Sequence, residues 1–223
     1  MKSPVKMPPP WFYFGVQNLF KLLVRLLSKE EVVGLENIPA QGPFLVVFNH
    51  LSMVDAPVIF VLFPMQIVGM MTDKYRHSPV IAFLGNLLGI IWVKRGEADM
   101  TAIKASLGHL RSGGVLAIAP EGTRSREASL LEGKTGAAYL ADRACVPIVP
   151  LAISGSEQVV RNLRRLRRTP VRVAIGQPFR LPSEGRAKGE KLEEYTDLIM
   201  NRLAELLPPA YRGSYAGASQ ESG

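Results

Sequence analysis

The chain has 223 residues, 47% of them hydrophobic and 21% charged, with a formal net charge of +8, a pI near 9.8 and a positive mean hydropathy of +0.12. That length suits one sizeable α/β domain, and a single cysteine, Cys145, rules out an internal disulfide framework. One cysteine with three scattered histidines leaves no structural zinc site, and no zinc-finger, RNP or basic-zipper pattern marks a nucleic-acid reader.

Basic and apolar character together point to an anionic partner at a membrane surface. Residues 1–10 are proline-rich and read as irregular. Residues 11–27 form the first helix. Its polar positions Gln17, Asn18, Lys21 and Arg25, with Ser28 just beyond, repeat at helical spacing on one stripe, and aromatic and aliphatic residues fill the rest. Every charge up to Lys29 is positive. An aromatic, basic amphipathic helix of this kind lies in a membrane interface; the plainer alternative is a helix packed on the core. No apolar run reaches the ~20 residues of a membrane-spanning helix. No small-residue cleavage site follows the apolar N-terminal stretch, so no signal peptide is expected.

Val32 and Val33 lead through a turn to an apolar run, Phe44–Phe48, that reads as a buried strand. A helix follows Asp55 and stops at Pro64. Strands at 67–71, 90–93, 115–119, 148–153 and 171–175 alternate with helices at 79–88, 98–110 and 135–143, and a helix at 190–207 closes the chain. The alternation predicts a single α/β domain with a mostly parallel or mixed sheet flanked by helices. The boundaries drawn are a membrane-interface helix segment at 1–29, the main domain at 30–210, and a Gly/Ser/Ala-rich disordered tail at 211–223.

His50 and Asp55 stand five positions apart, directly after the strand run. On a continuous helix they would be about 140° apart, so the chain must turn if they are to meet as an oriented general base. The alternative is local: Ser52-x-x-Asp55 resembles a capping box, with Asp55 satisfying helix N–H groups. Polar groups also collect at other strand ends, Lys94-Arg95 at one and Glu121-Gly122-Thr123-Arg124-Ser125 at another. Sites in open α/β sheets form at the carboxyl ends of strands. Gly122 allows close backbone approach, Thr123 and Ser125 offer hydroxyls, and Arg124 offers a planar fork for phosphate oxygens. A surface turn with an ion pair is the bland reading of the same loop.

His77 and His109 read as structural or solvated, and Cys145 as a buried small hydrophobe. The run Arg161, Arg164, Arg165, Arg167, Arg168 shares a helix with Val159, Leu163 and Leu166. It is either a solvated face or a dock for anionic headgroups or an acidic carrier protein.

Four blocks carry a resemblance: Asn49-His50-x4-Asp55, then Gly89-Ile90-Ile91-Trp92-Val93-Lys94-Arg95, then Pro120 to Ser125, then Val146-Pro147-Ile148-Val149-Pro150-Leu151. In this order they resemble the glycerolipid acyltransferase family, most closely the bacterial 1-acyl-glycerol-3-phosphate acyltransferases. Two departures stand out: Ala119 replaces a Phe frequent before the third block, and Gly133-Lys134 replaces the usual Phe-Lys after it. The resemblance implies transfer of a fatty acyl group from acyl-CoA or acyl-carrier protein, as co-substrate, to the free sn-2 hydroxyl of lysophosphatidate, giving phosphatidic acid in phospholipid synthesis. It implies no metal and no resident cofactor. His50 would be the base and Asp55 its partner. Arg95, Glu121, Gly122 and Arg124 would carry the glycerol-phosphate, with Lys94, Thr123, Ser125 and Lys134 as further candidates. A peripheral or monotopic place on the cytoplasmic face of the cell membrane follows, with membrane lipids as partners and no nucleic acid. The other readings are an acyltransferase for a lyso-ornithine lipid or another lysophospholipid, a hydrolase, and a non-catalytic lipid-binding module.

Overall fold

The computed structural model describes residues 4–94, 99–182 and 185–217. Its elements run α1 (Pro10–Leu27), β1 (Ser28–Val33), β2 (Phe44–Phe48), α2 (Asp55–Leu62), β3 (Ile67–Thr72), α3 (Pro79–Leu87), β4 (Ile91–Val93), α4 (Met100–Arg111), β5 (Val115–Ile118), α5 (Gly136–Ala144), β6 (Ile148–Ser154), α6 (Val159–Leu163), β7 (Thr169–Ile175) and α7 (Glu190–Leu206). The strands form one sheet in the order β1-β7-β6-β2-β5-β3-β4. Strands β2 to β6 are mutually parallel, β7 runs antiparallel to β6, and β1 runs parallel to β7. The sheet is therefore mixed, as expected.

Continuous apolar runs mark strands buried on both faces, and all seven residues of β6 are buried. Side chains alternate across the pleat. Leu45 and Val47 join a core roofed by α4, α5 and α7. Phe44 and Val46 join a second core under α1, α2 and α6. Because β2 to β6 are parallel, their carboxyl ends open on one edge of the sheet, which is where the polar segments emerge.

Helix α1 departs from its expected stripe. Gln17 is buried, and its amide donates to the carbonyls of Phe60 (2.7 Å) and Phe63 (2.9 Å) at the end of α2. Ser28 is buried too, donating to Val24 O at 2.7 Å. The face turned outward carries Leu19, Leu22, Leu23 and Leu26 together with Lys21 and Arg25. Asn18, Lys21 and Arg25 of the polar stripe face outward, and only its edges, Gln17 and Ser28, turn inward, Gln17 to supply donors to two carbonyls at the end of α2. Among the described residues no helix is long and apolar enough to cross a membrane.

Helix α1 feeds straight into β1, which pairs with β7 along its whole length, so residue 29 lies inside a strand of the main sheet. The tail is ordered further than composition indicates. Two 3-10 turns, Pro209–Tyr211 and Gly213–Tyr215, follow α7. The Tyr211 hydroxyl donates to Glu157 (3.0 Å), and Tyr215 accepts from the Gly133 N–H (3.3 Å). Residues 218–223 lie outside the described residues. Cys145 is exposed, the reverse of the expectation: it ends α5 in the left-handed region at φ 52°. His109 is buried beneath Val115 O at 3.2 Å, and His77 is exposed on a 3-10 turn.

Candidate active site

The site is built on the end of β2. Asn49 stitches this end to β6: its amide donates to Ile153 O (2.8 Å) and its carbonyl accepts from Ile153 N–H (2.7 Å). The next residue, His50, is gripped by its backbone from the third block. Its N–H donates to Glu121 Oε1 (2.8 Å), and its carbonyl accepts from Ser125 N–H (2.8 Å). Its ring stands edge-on to Phe48 at 5.9 Å. One quarter of the His50 side chain, 25%, remains exposed.

The chain does turn between His50 and Asp55. Asp55 Oδ2 lies 2.8 Å from His50 Nδ1 and also accepts from the backbone N–H groups of Leu51 and Ser52, each at 2.7 Å. Its other oxygen, Oδ1, accepts from the Ser156 hydroxyl at 2.5 Å. Asp55 is fully buried, at 0% exposure. Asp55 is the first residue of α2, and its carboxyl reaches back to the preceding loop at Leu51 and Ser52. The Ser52 bond is the back-reaching half of the expected capping box, so the same carboxyl serves the helix start and the imidazole. A carboxyl that accepts from four donors assigns the hydrogen at His50 to Nδ1. This leaves Nε2 as the free acceptor, the arrangement of an oriented general base.

Glu121 and Ser125 do not take the ligand-facing places expected of them. Glu121 is 2% exposed, and its second oxygen accepts from Leu131 N–H at 3.0 Å. Burial pushes its carboxyl up to about 7, against the pull of the two backbone N–H groups from His50 and Leu131. Ser125 is buried with its hydroxyl accepting from Ser129 N–H at 3.2 Å. Both residues hold the loop and the His50 backbone.

The outward groups are different ones. Gly122 turns in the left-handed region, φ 64°, and a Cβ built there would sit 3.3 Å from Lys134 Nζ. Lys134 is exposed and is placed over this turn by its own N–H donating to Pro120 O at 2.9 Å. Arg124 is exposed and donates to the Tyr75 hydroxyl at 3.2 Å, from the 3-10 turn after β3. Thr123, between them, is half-buried. Lys94 is exposed at the end of edge strand β4, three strands from β2, or roughly 14 Å across the sheet. Arg95 lies outside the described residues. The structure thus gathers His50, Asp55, Glu121, Gly122, Arg124, Ser125 and Lys134 around one strand end, and leaves Lys94 at the sheet's rim.

The Acyltransferase family model matches residues 29–154, more than half of the chain. The chain belongs to this acyltransferase family. Its relatives include 1-acyl-sn-glycerol-3-phosphate acyltransferases. One, a chloroplastic protein of Brassica napus, is 28% identical over 182 residues, covering 79% of this chain and 50% of that protein. The Saccharomyces cerevisiae relative is 29% identical, covering 85% of this chain and 64% of its own length. The Bacillus subtilis relative is 26% identical, covering 85% of this chain and 94% of its own. The chain thus spans about half to two thirds of the first two. The crystal structure of the 1-acyl-sn-glycerophosphate acyltransferase from Thermotoga maritima shares the fold, with a TM-score of 0.68 at 24% identity, covering 87% of this chain and 78% of that one.

One family departure has a packing reason. At Gly133 a Cβ would lie 2.6 Å from Met200 Cγ, so α7 already fills the space a larger residue would take. Three residues that serve the site carried no assigned role in the sequence reading. Ser156 and Tyr75 had no motif around them, although Ser156 follows Gly155, which holds φ 86°. Asn49 sat inside the first block but was indistinguishable from a spacer.

Proposed function

We propose that this protein transfers a fatty acyl group from acyl-CoA or acyl-carrier protein to the sn-2 hydroxyl of 1-acyl-glycerol-3-phosphate. The observation that carries the reading is the His50 imidazole bonded to the fully buried Asp55, beside a glycine turn flanked by Arg124 and Lys134. The names of its relatives support the same reaction.

The acceptor hydroxyl gives its proton to His50 Nε2 as its oxygen attacks the thioester carbonyl. Asp55 holds the ring and balances the imidazolium that forms. Collapse of the tetrahedral intermediate breaks the carbon–sulfur bond, and the leaving thiolate takes the proton back from His50. No acyl-enzyme is needed. Arg124 and Lys134 meet the acceptor phosphate, with Arg95 as a third cation in the family reading. The outward leucines and cations of α1 set the enzyme on the surface of its lipid substrate, peripherally, at the cytoplasmic face of the cell membrane.

The test is the purified protein in detergent with labelled acyl-CoA or acyl-carrier protein and a panel of lysolipids, alongside His50→Ala. Phosphatidic acid should form from lysophosphatidate and vanish in His50→Ala. Product from lyso-ornithine lipid alone would move the acceptor class. Thioester cleavage without lipid product would make the protein a hydrolase, and activity in His50→Ala would remove the base.

A further inference from the structure

The arginine-rich segment after β6 is a five-residue helix, α6, followed by a tight turn, instead of one helical face. Asn162 closes that turn, its carbonyl accepting from the N–H groups of Arg165 (2.9 Å) and Arg167 (3.0 Å). At its tip Leu166 is forced into the left-handed region, φ 51°, and stands 93% exposed. Val160 and Leu163 are exposed beside it. Arg161, Arg164, Arg165, Arg167 and Arg168 surround these side chains, with no acidic residue between 158 and 171. Arg164, Arg165 and Arg167 enter no ion pair among the described residues.

The position of this turn matters as much as its composition. β7 is antiparallel to β6, so the segment joining them stands at the same sheet edge as His50, and Ser156 at its start touches Asp55. The start of β1 is at that edge too, paired with the start of β7. Arg168 clamps the two together, donating through Nε (3.1 Å) and Nη2 (2.7 Å) to Ser28 O at the end of α1. The turn therefore continues the outward leucine and cation face of α1, in the same layer over the sheet. The acids on the adjoining segments are engaged elsewhere: Glu30 accepts from Ser28, Glu31 pairs with Arg172 at 3.7 Å, and Glu157 accepts from the Tyr211 hydroxyl at 3.0 Å. In the opposite layer one helix has the other sign. Helix α7 carries Glu190, Glu193, Glu194, Asp197 and Glu205 against Lys191 and Arg202.

We propose that residues 160–168 form a second membrane anchor, in which Leu166 and Leu163 wedge between lipids while the arginines bind anionic headgroups, holding the mouth of the site against the bilayer. This rests on the membrane reading of α1 and extends it. Unpaired cations around a protruding leucine fit a surface that is anionic outside and apolar beneath; an acidic protein would pair the cations but offer the leucine no such depth. Recognition of anionic lipid then delivers charged lysolipid to the edge of the sheet where His50 waits.

The test uses the full chain with phosphatidylcholine vesicles, with and without phosphatidylglycerol. Charge reversal at Arg164, Arg165 and Arg167 (each to Glu) should lower binding to the anionic vesicles about ten-fold or more and erase the preference for phosphatidylglycerol. Leu166→Asn suits the left-handed backbone and should lower binding to both vesicle types several-fold. Leu166→Trp in a Trp11→Phe background should give added tryptophan emission that lipids brominated in their acyl chains quench, relative to Trp11→Phe alone. Transfer to a short-chain lysophosphatidate in detergent should be unchanged in all three. Unchanged vesicle binding with no added quenching from residue 166 overturns the proposal. A raised KM for acyl-carrier protein with unchanged vesicle binding also overturns it, and makes the turn a carrier dock. Leu22→Asp with Leu26→Asp separates the α1 reading. Loss there with none from the turn variants overturns the turn, and the reverse supports the turn while overturning α1.

Discussion

The Ser156 hydroxyl donates to Asp55 Oδ1 at 2.5 Å, joining residues 101 positions apart, both fully buried. This bond ties the His50–Asp55 pair, between β2 and α2, to the segment after β6. Removing it in Ser156→Ala leaves Asp55 with three donors and one loose oxygen. We expect kcat to fall about ten-fold with both KM values little changed, since a neutral-to-charged hydrogen bond is worth roughly 1.5–3 kcal/mol. Asp55→Asn should cost far more, on the order of 10³-fold or greater, because an amide can present its N–H to His50 and select the wrong tautomer. Steady-state kinetics of the two variants check both. A Ser156→Ala enzyme that melts earlier but keeps its kcat would mark Ser156 as structural only.

Arg124 and Lys134 are exposed on either side of the Gly122 turn. Arg124→Ala should raise the acceptor KM on the order of ten-fold while the donor KM stays put. Arg124→Lys should recover only part, because a point charge lacks the planar fork. Lys134→Met should act in the same sense. Monoacylglycerol, which has no phosphate, supplies the control. Its low rate should be insensitive to these substitutions, and equal losses on both acceptors would contradict the phosphate assignment.

Glu121 makes stability depend on pH in a definite direction. Burial raises its folded pKa from 4.5 to about 7, so the folded state holds the proton more tightly than the unfolded chain. Its contribution is complete below about pH 4.5 and is lost as pH rises through 7, on the order of 3 kcal/mol in all. His109 acts oppositely: burial lowers its pKa from 6.5, so it costs stability as pH falls. The two are separated by Glu121→Gln. The variant should remove the decline in melting temperature between about pH 5 and 8 that the wild type shows, leaving the acid limb of His109. Parallel melting curves for the two proteins across that window would refute the assignment.

Gln17 anchors α1 by donating to two carbonyls at the end of α2. Gln17→Leu keeps the volume but orphans both acceptors, and should cost about 1–3 kcal/mol. Calorimetric melting measures it. A neutral or stabilising effect would show that those carbonyls find other donors.

Much of this was legible in the chain. Strand runs such as Phe44–Phe48, the alternation with helices and the stop at Pro64 report a periodicity that burial on a sheet imposes locally. Polar residues directly after those runs, His50 and Glu121 among them, had to emerge at one sheet edge once the strands were parallel. Other relations had no local trace. Gln17 looked solvent-facing because spacing marks a stripe without saying that its edge turns inward. Glu121 looked like a ligand because its two donors belong to His50 and Leu131, the first of them 71 residues away. The reach of Asp55 back to Ser52 was legible as a capping box, whereas its bond to Ser156, 101 residues away, was not. Periodicity is a property of neighbours in sequence and determined which residues form strands and which end them. A polar group's partner is a property of neighbours in space, and only the packed structure decided that Ser156 bonds the carboxyl that holds His50.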